Sequence, residues 1–267
     1  MMLPDLAAAC NYEHVYIAPH LDDAVLSCGG RIALQTSAGQ RVLVVTICAG
    51  RPAAGTELSP FAQYLHTAWA LGDDPVALRR EEDRRALALL GCAGLQLELL
   101  DAPYRAGAYG ERDAVFGSPI AYDPLATALD PILAQLYAQQ PGARFYLPLG
   151  VGQHVDHQLV CAAGTNLHTQ GVDIVWYEDA PYAAKQPQAV ARRLAALPDQ
   201  YVPEVIAIDA MLERKLSAIG EYRSQLRELF GAAAMEQVMT DYAALLGSDQ
   251  HSFGERIWRC DRTLPTS

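Results

Sequence analysis

Two short polar segments interrupt an otherwise apolar-rich chain, and both carry side chains that bind metals and move protons. The first is His20-Leu21-Asp22-Asp23 and the second is His154-Val155-Asp156-His157. Residues three apart share a face at the start of a helix. His20 with Asp23, and His154 with His157, have that spacing. One imidazole and one carboxylate from the first segment, with one imidazole from the second, make a three-ligand set. Such a set suits zinc and leaves a fourth position for water. Asp22 then stands beside that water as a carboxylate able to take its proton. The remaining histidine of the second pair can donate a proton or stabilise an oxyanion. The competing reading is that Asp22 or Asp23 only caps a helix, since Asp is a favoured N-cap residue. Against it stands the recurrence of the pattern at two places, both after an apolar β-rich run.

The elements that would position these groups are legible as alternating strands and helices. Residues His14–Ala18 read as a short buried strand, followed by a helix over 23–38. Arg41–Ile47 is the clearest strand, continuous and β-branched as a doubly covered parallel strand should be. Residues 50–75 read as a long loop with one helical turn, 76–90 as a charged helix stopped by Gly91, and Leu95–Leu100 as a strand. A loop over 102–123 precedes a helix at 124–139, the strand Phe145–Leu149 and a helix at 155–169. Val172–Tyr177 and Val205–Ile208 are further strands, and 210–229 is a well-patterned helix. No repeat or composition break divides the chain. The order predicts a Rossmann-like α/β fold over 1–267, with a mostly parallel sheet and helices on both faces. Residues 210–267 would add a C-terminal helical and strand elaboration. In such sheets ligands sit outside the carboxyl ends of the strands, which is where both polar segments fall.

These residues resemble the LmbE-like or PIG-L family, zinc-dependent N-deacetylases of GlcNAc-bearing substrates. The family signature is His-Pro-Asp-Asp after the first strand and His-x-Asp-His much later, matched here by residues 20–23 and 154–157. Arg79-Arg80-Glu81-Glu82 running to Leu90-Gly91, Tyr177-Glu178-Asp179-Ala180-Pro181-Tyr182 and the stretch from Lys215 to Ser224-Gln225 are similar too, so the resemblance spans 14–260. It implies that His20, Asp23 and His157 bind one zinc, that Asp22 is the general base and that His154 is the acid or oxyanion stabiliser. Asp156 would orient a histidine, as carboxylates behind metal ligands do. The implied activity is removal of an N-acetyl group from a GlcNAc-type or other amino-sugar conjugate by a zinc-activated water. The same His/Asp set also takes Fe(II). Leu21 replaces the family's Pro, and Ala24 follows the acid pair where Glu or Asp is common. Some members carry a Tyr two residues before the first His of the second motif to assist the oxyanion. Gly152 stands there, so that assistance is absent or comes from elsewhere.

Other candidates are single residues. Arg79 and Arg80 could reach a sugar or phosphate of the substrate from the helix start, with Arg79 the candidate substrate contact, although the run RREEDRR otherwise reads as a solvated face laced with ion pairs. Arg51, Asp101 and Arg105 follow strands in loops that could rim the same crevice and bind substrate. Tyr104, Tyr109 and Tyr122 read as loop anchors, and His14, His66, His168 and His251 as structural.

Composition narrows the partners. Lys plus Arg number 20 against 31 Asp plus Glu, a net charge of −11, which repels nucleic-acid phosphates and anionic membranes. The expected partner is a small N-acetylated sugar conjugate, with further copies of the chain as the only macromolecular one. The six cysteines are scattered without a CxxC pair, and no apolar run approaches the roughly 18 residues a membrane span needs. With an N-terminus unlike a signal peptide, the expected location is the reduced cytoplasm. A dinucleotide-binding protein would need G-x-G-x-x-G after the first strand, where this chain has Pro19-His20-Leu21-Asp22-Asp23 instead. A non-catalytic binding module on the same fold would show substituted ligands, and none is substituted. A zinc amidase acting on another N-acyl compound remains the nearest alternative.

Overall fold

The computed structural model describes residues 1–261 except Leu71, Asp73 and Ala106. The first half runs β1 (His14–Ala18), α1 (Asp23–Ser37), β2 (Val42–Thr46), α2 (Pro60–Trp69), α3 (Pro75–Leu90), β3 (Ala93–Gln96), α4 (Arg112–Val115) and α5 (Pro124–Gln139). The second half runs β4 (Arg144–Pro148), α6 (Val155–Thr169), β5 (Ile174–Tyr177), α7 (Tyr182–Lys185), α8 (Pro187–Ala195), β6 (Tyr201–Ala207), α9 (Leu212–Ile219), α10 (Arg223–Phe230), α11 (Met235–Leu245) and β7 (Gly254–Cys260). The strands form one seven-stranded sheet in the order β3-β2-β1-β4-β5-β7-β6. The first five are parallel, and β7 runs antiparallel to both neighbours. The α/β architecture with a mostly parallel sheet is therefore as the sequence predicts.

Strand alternation divides the core into two layers. Val15 and Ile17 of β1 join Leu43 and Val45 of β2 in packing on α5 and α6 through Leu129, Leu133 and Val160. Tyr16 and Ala18 face the other way with Val42 and Val44, onto α1, α3 and α9 through Ile32, Leu87 and Ile219. Chain order reverses where β1 lies beside β4, with β2 and β3 to one side and β5 to the other. That reversal opens a crevice at the carboxyl ends of β1 and β4.

Several elements differ from the expectation. The loop predicted over 50–75 contains the ten-residue helix α2, which Ser59 caps by accepting from the Ala62 N–H and Pro60 opens at its first position. Its small-residue flanks masked that start signal. The strand expected to reach Leu100 ends at Gln96. The helix expected over 210–229 is broken by Gly220, giving α9 and α10. The short strand expected at Val205–Ile208 is the seven-residue edge strand β6, mostly exposed, with Pro203 tolerated because it lies on an edge. The C-terminal elaboration is built into the sheet through β7, and its last residues, 262–267, lie outside the described residues. Glu255 of β7 accepts from the Gly30 and Arg31 backbone N–H groups at 2.8 Å and pairs with Lys215 at 2.7 Å.

The charged face of α3 also departs from a solvated one. Arg79, Glu82 and Asp83 are buried, whereas Glu81 pairs with Arg84 at the surface. Glu82 accepts from the Ser224 backbone N–H and hydroxyl, and Asp83 from the Tyr222 hydroxyl at 2.8 Å. Glu82 of α3 thus satisfies one of the open N–H groups at the start of α10, a helix whose own cap position makes no side-chain bond. No helix among the described residues is long and apolar enough to cross a membrane.

Candidate metal centre

His20 and Asp23 lie where β1 passes into α1, and His154 and His157 lie where the β4 loop passes into α6. The topology brings them together across more than a hundred residues. His20 Nδ1 lies 3.2 Å from Asp23 Oδ2, His157 Nε2 lies 3.2 Å from the same oxygen, and the two nitrogens are 3.2 Å apart. All three residues are buried. A tetrahedral ion with ligand bonds of about 2.0–2.1 Å separates its ligand atoms by roughly 3.3–3.4 Å. The triangle therefore has the size and donor chemistry of a zinc-type site.

Each imidazole is anchored through its outward nitrogen. His20 Nε2 lies 3.1 Å from Asp156 Oδ2, and His157 Nδ1 lies 2.6 Å from Asp179 Oδ1. Carboxylates only accept, so each imidazole in its neutral form keeps its proton on that outward nitrogen and turns a lone pair inward. Asp156 is held in turn by Arg105 at 2.6 Å and by the Ala102 N–H at 3.0 Å, and Arg105 also bonds Asp123 at 3.0 Å. Asp179 accepts from the Val151 N–H at 2.9 Å with its other oxygen. Burial opposes charge on His157, but Asp23 and Asp179 outweigh it and raise its pKa to about 9.

A second set of donor atoms, from His20, Asp101, His154 and Asp156, also lies within 4.8 Å of one another. Its Asp156 carboxylate is already committed to Arg105 and His20, and Asp101 keeps an Oδ1 without a hydrogen-bond partner among the described residues. The triangle of His20, Asp23 and His157 is the better cradle.

Asp22 holds the N-cap position of α1, yet its side chain makes no capping hydrogen bond. The capping alternative does not describe it. Its carboxylate lines the cleft above the triangle, and burial together with neighbouring Asp23 raises its pKa to about 6. His154 is different. It caps α6, with Nδ1 accepting the Asp156 N–H at 3.2 Å, which leaves the proton on Nε2. Burial and the charge on His20 lower its pKa to about 3, so it stands as a neutral hydrogen-bond donor. Asp156 Oδ2 is 4.0 Å from His154 Nδ1, and the histidine it orients is His20.

The cleft over these groups has an aromatic wall from Phe61 and Trp69 of α2 and from Phe116, and a polar side that includes Arg79, Asp101 and Tyr182. Arg79 stacks on the Trp69 ring at 4.5 Å, and its Nε finds no hydrogen-bond partner among the described residues. Of the four residues expected to bind substrate, Arg79 and Asp101 line the cleft. Arg105 does not: its guanidinium is spent behind Asp156, where it holds the carboxylate that anchors His20. Arg51 is exposed and pairs with Asp74 at 3.1 Å, outside the cleft lining. Asp179 and Tyr182 were not among the expected site residues. Both follow the carboxyl end of β5, the position that singled out the two motifs, so the same rule would have found them.

Comparison with known proteins agrees with this architecture. Residues 15–168 match the family model described as PIG-L, GlcNAc-PI de-N-acetylase. The chain is 29% identical over 249 residues to a 2'-N-acetylparomamine deacetylase of Niallia circulans, covering 84% of each. It is 30% identical over 220 residues to the 2'-N-acetylparomamine deacetylase of Streptomyces fradiae, covering 78% of this chain and 72% of that one. Among solved structures, the zinc-inhibited form of a teicoplanin deacetylase superposes with a TM-score of 0.77 at 29% identity, over 93% of this chain and 98% of the other. The family match runs from β1 through α6 and so takes in both motifs and the crossover that joins them: the chain belongs to the PIG-L family of GlcNAc-PI de-N-acetylases.

Proposed function

We propose that this protein is a metal-dependent hydrolase that removes an N-acetyl group from an amino-sugar conjugate. His20, Asp23 and His157 would hold one divalent ion, with zinc as the first choice and Fe(II) the second. That ion supplies Lewis acidity, lowering the pKa of water and polarising the amide carbonyl. Asp22 takes the proton of the attacking water as its oxygen bonds to the carbonyl carbon. His154 donates a hydrogen bond from Nε2 to the carbonyl oxygen as that oxygen turns anionic. The proton held by Asp22 then passes to the amide nitrogen, the C–N bond breaks, and acetate and a free amine leave. Arg79 and Asp101 offer hydrogen bonds to sugar hydroxyls, and the Trp69 and Phe116 rings offer flat apolar surface. The amino-sugar assignment leans on the relatives named for N-acetylparomamine and teicoplanin. One continuous sheet supports taking residues 1–267 as a single catalytic domain.

The observation that carries the reading is Asp22: a buried carboxylate that makes no capping hydrogen bond and no other side-chain hydrogen bond among the described residues, beside the donor triangle, with a pKa near working pH. The test measures metal content and acetate release from N-acetylparomamine and from N-acetylglucosamine conjugates. Zinc- and iron-loaded protein are compared, with longer N-acyl analogues alongside. Asp22→Ala should keep its metal and lose about 10²–10⁴-fold in turnover. Retained turnover would remove Asp22 as the base. Preferential release of longer acyl groups would replace the deacetylase reading with a broader amidase.

A further inference from the structure

Tyr182 opens α7 and lines the cleft with His20, Asp22, Asp23 and His154. Its ring is seated by design of the opposing loop. Gly152, between β4 and α6, has φ 92°, a conformation that side-chain-bearing residues rarely adopt. A Cβ there would lie 2.4 Å from Tyr182 Cγ and 2.7 Å from Cδ1. The ring thus fills the space a side chain at position 152 would need. It meets His157 edge-on, with centroids 6.0 Å apart at 89°, and Phe116 at 6.3 Å. The backbone just beyond it is tied to Asp179, whose carbonyl accepts the Ala183 N–H at 2.9 Å. The residue that anchors His157 therefore also anchors the turn that carries Tyr182.

Tyr182 is half-buried at the cleft wall, unlike the fully enclosed tyrosines of the core. Enclosed tyrosine hydroxyls normally find a protein partner. Tyr16 donates to Gln35, Tyr109 to Asp123, Tyr177 to the Ile17 carbonyl and Tyr222 to Asp83. Tyr182 has no such bond among the described residues, although it stands in the same cleft as the reactive groups. A tyrosine hydroxyl, with an ordinary pKa of about 10, is a neutral donor at working pH. A neutral O–H free of protein partners suits an oxygen that gains negative charge during reaction.

We propose that the Tyr182 hydroxyl donates a hydrogen bond to the scissile amide oxygen as it becomes anionic, acting with His154 as a second oxyanion donor. The hydroxyl keeps its proton throughout, so the balance of the hydrolysis is unchanged. The proposal rests on the deacetylase reading above.

Tyr182→Phe tests it, since the ring and its packing on Gly152 and His157 are kept. Wild type and variant are compared for metal content, kcat and KM of acetate release, and acetate binding by calorimetry to the metal-loaded protein. The expected result is unchanged metal content, KM within about twofold, and kcat down by about 10²-fold, the usual cost of one oxyanion donor. Acetate, whose carboxylate occupies the same oxygen position, should bind about tenfold more weakly. An active wild type with an equally active variant overturns the tyrosine role and leaves the deacetylase reading standing. A rise in KM with kcat unchanged overturns it too, since the hydroxyl would then only bind sugar. A wild type that releases no acetate from any N-acetylated amino sugar overturns both.

Discussion

Asp179 should govern metal affinity without touching the metal. It is buried to 1% exposure, and its two oxygens take the His157 ring N–H at 2.6 Å and the Val151 N–H at 2.9 Å. In Asp179→Asn the side-chain shape survives, but the amide has one acceptor oxygen for two donors, and its NH₂ must face one of them. The variant also removes the negative charge that makes His157 a stronger base. Losing such a partner behind a metal ligand typically costs 10–100-fold in affinity, or about 1.4–2.7 kcal/mol. The assay titrates zinc into metal-free protein against a chromophoric chelator, with circular dichroism to confirm folding. Glu178→Gln is the control. Its carboxylate is just as buried but turns the other way, to Arg256 at 2.6 Å and the Trp258 indole at 2.7 Å. Zinc affinity should fall for Asp179→Asn and hold for Glu178→Gln. A folded Asp179→Asn with wild-type affinity would refute the anchoring argument, and equal losses in both variants would reduce it to general destabilisation.

Two pH effects follow from the remaining buried carboxylates. Asp22 must be ionised to take a proton, so kcat/KM should fall as pH drops through about 6, with the limb moved lower by a bound cation; a flat profile down to pH 4 would exclude it as the base. Asp83 is buried in α3 with its pKa raised to about 7, chiefly by desolvation. Because the folded value lies above the unfolded one, its stabilising contribution is full below about 3.9 and is lost as pH rises through 7. At pH 8 the ionised form costs on the order of 4 kcal/mol. Asp83→Asn, which can still accept from Gln96 and bond Tyr222, should therefore melt several degrees above wild type at pH 8 and by about a third of that margin at pH 5, as read by calorimetry; an unchanged difference between the two pH values would show that Asp83 is ionised at no cost.

The legible parts of the site are those that the α/β chain order brings together by itself. His20 and Asp23 follow β1, His154 and His157 follow β4, and strands β1 and β4 are neighbours, so the motifs meet whatever the details of packing. The charged run on α3 misled because composition outweighed spacing. Arg79, Glu82, Asp83, Ala86, Leu87 and Leu90 recur at helical intervals and make one buried face. The pattern of a buried stripe was present, but its acidic end is tolerable because Gln96 of β3 bonds Asp83 and because Tyr222 and Ser224 arrive from about 140 residues away to bond Asp83 and Glu82. Nothing local announces such partners.

The same limit explains the two histidine anchors. At the start of α6, His154 Nδ1 is spent on the Asp156 N–H, so the carboxylate of Asp156 is free to reach past it to His20. That choice is forced by the helix N-terminus, and the His20 hydrogen bond, backed by the charge of Arg105, keeps Asp156 ionised in the interior. His157 takes its anchor from β5 instead, through Asp179. The ligand types are thus written in the two motifs, while the direction each imidazole faces is decided by carboxylates that only the strand order brings near. A variant with both motifs intact but either anchor lost should keep the donor atoms and lose their aim, which is why metal affinity, measured apart from turnover, is the quantity that separates the motif from the fold that orients it.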